Sequence, residues 1–149
     1  MDDRSRKERS ATMRAVKGEG TGIERVFLDL MLGKNLADIE KNPNDITGKP
    51  DLVHRGSKVA VFIDGCFWHG CSKHLRMPAS NSDYWKRKIT RNRTRDKNNN
   101  EILRNSGWLV IRIWEHSFKN SRLLKWWATR ISNHIMYRIP PPLTQSGSP

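Results

Sequence analysis

The sequence predicts an α/β domain in which helices flank a mixed central sheet. Three observations carry that expectation. Short β-rich runs alternate with segments of helical period along the chain. Two of the runs are separated by a tight turn, as in a hairpin. The 149 residues show no internal repeat and suffice for one ordinary core. The order read from the chain is helix, strand, strand, helix, strand, helix.

Residues 1–20 hold six basic residues and little apolar periodicity, which predicts a basic arm that orders on a polyanion. TGIERVFLDLML, from Thr21, predicts a helix with Ile23, Val26, Phe27, Leu30 and Met31 on one face. Thr21 and Glu24 fit its capping box. NPNDITGKP is turn-rich. DLVHR and KVAVFID predict two strands joined at Gly56–Ser57. Residues 82–105 predict a long helix begun by Ser82 or Asp83 and stopped near Gly107. WLVIRIW (108–114) is a further strand, and SRLLKWWATRISNHIM a closing helix with Leu123, Trp127, Ile131 and Ile135 inward. The domain is therefore expected over 21–138, and the Pro/Ser-rich tail 139–149 is expected to be disordered.

A net charge of +13 points to a polyanionic partner, nucleic acid before an acidic membrane surface. No apolar run nears the roughly 18 residues a membrane span needs. The polar start, MDDRSRKERS, has no secretory signal pattern. A cytoplasmic protein is expected, with its two cysteines as metal thiolates rather than a disulfide.

Between Lys86 and Lys97 the long helix carries seven Lys/Arg, among them Arg91, Arg93 and Arg95, and one acid, Asp96. Like charges without alternation repel unless a polyanion compensates them, so this face is expected to hold phosphates. Trp85, Ile89, Asn92, Asp96, Asn99 and Leu103 step by four and three onto one face. Asp96 is thus placed inward, where an acid needs a basic partner or a site. On the hairpin, Asp51 opens one strand and Asp64 ends the next. Two adjacent acids stay ionised together only with a cation nearby, and oxygen ligands suit Mg²⁺. Such an ion serves phosphodiester hydrolysis. The pair resembles that of PD-(D/E)XK nucleases, although no Lys follows one step past an acid.

DGCFWHGCSKH (64–74) spaces Cys66, Cys71 and His74 as C-x₄-C-x₂-H, compact enough for one Zn²⁺. His116, after the last strand, or His69 supplies the fourth ligand of a closed structural site. Phe67 and Trp68 are large aromatics in a polar loop, either a lid on the core or a wedge for a partner.

Taken together, GKPDLV, VFIDGCFWHGCSKH, NRTRD and GWLVIRIWEH resemble the very short patch repair (Vsr) endonucleases, from about Thr12 to Ser117. The resemblance implies a PD-(D/E)XK-like fold, a structural zinc, and Mg²⁺-dependent nicking of double-stranded DNA beside a T·G mismatch. It implies a bacterial enzyme that works on the nucleoid, alongside other repair proteins; the sequence shows no dimerisation stripe beyond the core faces, so a monomer is expected. Asp51 would bind Mg²⁺ with the Ile63 carbonyl, His69 would act on the attacking water, and Glu24 and Asp96 would be supporting acids. Phe67 and Trp68 would enter the base stack from one groove and Met13 from the other. Zinc would be held by Cys66, Cys71, His74 and His116. The family's pattern has a histidine where this chain has Asp64, so Asp64 is open to roles as ligand, water partner or orienter. A restriction-type nuclease of the same fold and a zinc-stabilised DNA-binding module are the competing expectations.

Overall fold

The structure, a computed structural model, describes residues 21–34 and 36–138. The basic arm with Met13, and the tail 139–149, lie outside the described residues. The elements are α1 (Thr21–Leu32), β1 (Ile39–Lys41), β2 (Leu52–His54), β3 (Val59–Asp64), α2 (Ser82–Asn105), β4 (Leu109–Trp114), a 3₁₀ helix (Glu115–Lys119) and α3 (Ser121–Arg138). The strands form one mixed sheet in the order β1-β2-β3-β4. β1, β2 and β3 pair antiparallel, and β4 joins β3 in parallel through the α2 crossover. The predicted α/β architecture of helices on a mixed sheet is the one observed.

Period-two alternation assigns the two faces. Val59 and Val61 of β3 and Ile113 of β4 join Phe27, Leu28 and Met31 of α1 and Leu124, Ala128, Ile131 and Ile135 of α3 in the larger core. Phe27 stacks on Phe118 of the 3₁₀ helix at 4.6 Å. On the other face Val53, Ala60 and Phe62 pack with Leu103 of α2. The parallel register pairs Phe62 with Arg112 and Asp64 with Trp114. Asp64 and Arg112 therefore share the face that α2 covers. Gly107 turns the chain out of α2 with a positive φ of 84°, the left-handed residue that commonly ends a helix.

Four local features differ from expectation. β1 lies just ahead of the turn-rich NPNDITGKP, where no strand is expected; its three residues are held by pairing with β2, eleven to fifteen residues away. The β2–β3 turn spans four residues, 55–58, with Lys58 at positive φ, not two. In α1 the inward stripe is Phe27, Leu28 and Met31, whereas Val26 is 58% exposed. In α3 Leu124 is buried and Leu123 is exposed, because steps of four drift off a period of 3.6 residues per turn. Both misphased helices carry spare apolar residues outside, which hydrophobicity alone does not sort.

Candidate active site and metal centre

The shift in α1 brings Glu24 onto the same stripe as Phe27, Leu28 and Met31. Its carboxyl shares a hydrogen bond with Asp51, just ahead of β2. Burial first, then the Asp51 charge, pushes Glu24 up to about 7. Burial also raises Asp51, against the hydrogen bond that the Ile63 amide donates to its Oδ2 at 2.6 Å. Two acids this close favour sharing one proton unless a cation compensates them.

At the end of β3, Asp64 is gripped from below by Arg112, whose Nε and Nη2 donate to its two oxygens at 2.7 and 2.6 Å. Burial disfavours the guanidinium charge, but Asp64 and the neighbouring acids outweigh it and raise Arg112 above its ordinary value. The inward stripe of α2 holds as read, with Ile89 and Leu103 buried. From it Asp96 places Oδ2 2.5 Å from His69 Nδ1, and Asp64 Oδ1 lies 3.6 Å from the same nitrogen. An open cleft of about 280 Å³ holds Asp64, His69 and Asp96, with Arg93, Lys97 and Arg104 on its walls.

Cys66, Cys71, His74 and His116 converge, with their ligand atoms within 4.8 Å of one another. The four sulfur-to-Nδ1 distances are 3.1, 3.9, 3.6 and 3.8 Å. A tetrahedral zinc with bonds of roughly 2.3 Å to sulfur and 2.0–2.1 Å to nitrogen puts these atoms about 3.6 Å apart. The set fits a zinc ion. His69, the alternative fourth ligand, is turned to Asp96 instead. Burial pushes the Cys66 thiol up to about 11 and holds His116 below its ordinary value, so a metal binding here displaces thiol protons and finds a neutral imidazole. The knot ties the loop after β3 to the 3₁₀ helix after β4. Glu115 reinforces that tie by accepting from the Cys66 amide at 2.7 Å.

Gly70 has φ 69°, and a Cβ there would meet Ile89 Cγ2 at 2.9 Å, so glycine lets the knot lie flat on α2. The loop's aromatics are half-buried. Phe67 and Trp68 pack edge-on with Trp85 of α2, at 5.3 and 6.1 Å, and Lys88 sits 5.1 Å over Trp68. Asn92 of the same stripe donates to the Trp68 carbonyl.

Of the basic residues singled out on α2, Lys86, Arg91 and Arg95 line one outer face with Arg87, Thr90, Thr94 and Asn98. Arg93 lies apart, on the wall of the acid cleft. Sequence reading missed Arg112, Asn100, Glu115 and Arg104. A signal for Arg112 was there, since a lone arginine inside WLVIRIW needs a partner, but that partner is 48 residues away.

Clustered carboxylates, a held imidazole and cationic walls beside a Cys/His cluster that could hold a metal suit an enzyme that cleaves phosphodiesters with a divalent cation. A family model described as DNA mismatch endonuclease Vsr matches residues 1–75. The chain is 38% identical over 117 residues to the type II nicking enzyme V.HpaIIP of Haemophilus parainfluenzae, covering 76% of this chain and 82% of that one. It is 32% identical over 117 residues to DNA mismatch endonuclease Vsr of Escherichia coli (strain K12), covering 78% and 74%. With the type II nicking enzyme V.NaeI of Lentzea aerocolonigenes the identity is 56% over 68 residues, 46% of this chain and 41% of that protein. The chain belongs to the Vsr family of DNA mismatch endonucleases. Among the described residues no helix is long and apolar enough to cross a membrane.

Proposed function

We propose that the protein is a Mg²⁺-dependent endonuclease of PD-(D/E)XK type that nicks one strand of DNA beside a T·G mismatch and so starts short-patch repair. The observation that carries this reading is the His69 imidazole, held through Nδ1 by Asp96 inside an acid cleft with cationic walls. Asp51 would hold Mg²⁺ together with the Ile63 carbonyl. When bound, the ion stabilises the negative charge that builds on the scissile phosphate. With Asp96 accepting from Nδ1–H, His69 keeps Nε2 free to take a proton from the attacking water. Glu24 supports Asp51 from α1. Lys86, Arg91 and Arg95 hold phosphates along α2, and Arg93 draws the backbone toward the cleft.

Zn²⁺ on Cys66, Cys71, His74 and His116 would fix the loop that carries both His69 and the aromatics. Phe67 and Trp68, half-exposed beside Trp85, then wedge into the base stack from one groove, with Met13 entering from the other. A wobble pair unstacks more readily than a matched one, so insertion itself favours the mismatch. One site on a monomer makes one nick, in the bacterial cytoplasm where the chromosome lies and other repair proteins follow. Matched and T·G duplexes incubated with Mg²⁺ and resolved on a denaturing gel test the reading. One strand of the mismatched duplex should be cut. Equal cutting of both strands in the matched duplex would show a restriction-type enzyme instead.

A further inference from the structure

Arg112 reaches two acids of the cleft at once. Its fork closes on both oxygens of Asp64, and its Nη2 also lies 3.4 Å from Asp96 Oδ2. That Asp96 oxygen is the one that holds His69 Nδ1, and Asp64 Oδ1 lies 3.6 Å from the same nitrogen. Guanidinium, two carboxylates and imidazole thus form a closed ring of contacts. Arg112 itself has little freedom, because Nη1 donates to Asn100 at 3.1 Å and its plane lies 4.7 Å over Phe62. A bidentate arginine fixes the plane of its carboxylate as well as its place.

We propose that Arg112 is a positioning residue: it occupies Asp64, keeps that carboxylate out of the divalent-cation site, and through Asp64 and Asp96 fixes the His69 imidazole. The inference rests on the nuclease reading above. Its electrostatic basis is that a guanidinium on both Asp64 oxygens repels a second cation there. Asp51, flanked by the acids Glu24 and Asp64, keeps a local field that attracts one. Asp64 is then an orienter and Asp51 the side-chain cation ligand. Arginine binds its carboxylate by shape as well as charge, so lysine should not replace it.

Five variants test this: Asp51→Asn, Asp64→Asn, Arg112→Lys, Arg112→Met, and Asp64→Asn with Arg112→Met. Mn²⁺ binding by calorimetry without DNA, melting temperature, and kcat and KM for nicking with Mg²⁺ are measured on each. Asp51→Asn should lose the Mn²⁺ heat, and the neutral pair Asp64→Asn with Arg112→Met, which leaves no uncompensated guanidinium, should keep it. Arg112→Lys should fold, bind Mn²⁺ normally and lose about 10- to 100-fold in kcat with KM little changed, the usual effect of removing a group that orients a ligand. Arg112→Met leaves a buried carboxylate unpaired and should melt early; the neutral double variant should recover its melting temperature but not its kcat. A double variant that melts and nicks like the parent would reduce the pair to an ordinary buried ion pair and overturn the proposal. So would a loss of the Mn²⁺ heat in the neutral double variant as complete as in Asp51→Asn, the mark of a direct ligand rather than an orienter. Failure of the parent to nick any duplex while it binds Mn²⁺ would instead count against the nuclease reading.

Discussion

Glu24 lies a hydrogen bond from Asp51, and burial with that neighbour pushes it up to about 7. Between the ordinary value of 4.5 and about 7 the folded chain keeps a proton that the unfolded chain has released. Stability in the absence of added divalent cation should therefore fall as pH rises through that window, and be fullest below it. Urea unfolding at intervals across the window, on the parent and on Glu24→Gln, should show the parent losing more; parallel curves would dismiss the coupling. The sequence allowed Glu24 two roles, a capping box or a site, and the phase of α1 favours the second. Trp68 offers a different single-residue test. Its edge-on partners contribute about 1 kcal/mol per aromatic pair, so Trp68→Ala should melt within a few degrees of the parent. Its preference for mismatched over matched duplex in a binding assay should nevertheless disappear. A variant that unfolds while its folded fraction keeps the preference would make the residue a lid on the core.

The second helix divides its work between faces. Ile89 and Leu103 bury the inward stripe, Asp96 and Asn92 hold the loop, and Lys86, Arg87, Arg91 and Arg95 stand outward. This element was legible because its 3.6-residue period runs for six turns and its charges do not alternate. β1 was not legible, since three residues carry too little pattern and are extended only because β2 pairs with them. The same limit hid Arg112, whose meaning lies in a strand 48 residues upstream. Outward basic residues that touch phosphates release counterions, so Arg91→Ala should weaken matched and mismatched binding alike. The slope of log affinity against log salt should shrink by about 0.9 if one phosphate contact is lost. An unchanged slope would mean that the outer face is only solvated.

Across the whole molecule, the knot joins what the sheet alone leaves separate. Cys66 and Cys71 bracket Phe67, Trp68 and His69, while His116 anchors the same loop to the turn after β4. Those ligands were legible because three lie within nine residues; the fourth was ambiguous, since only the parallel pairing of β3 with β4 brings His116 close. A rigid link of this kind predicts that two losses of activity will look different. Asp51→Ala removes the carboxylate proposed to hold the cation without touching the knot, so nicking should vanish while the melting temperature and DNA affinity remain near the parent's. Cys71→Ala opens a site where a structural zinc would contribute folding free energy outright. Melting temperature, DNA binding and nicking should fall together, and elemental analysis should find about one zinc per chain in the parent and much less in the variant. If Cys71→Ala keeps its fold and its zinc while losing only nicking, the knot belongs to the chemistry rather than to the frame that holds His69 beside the acids.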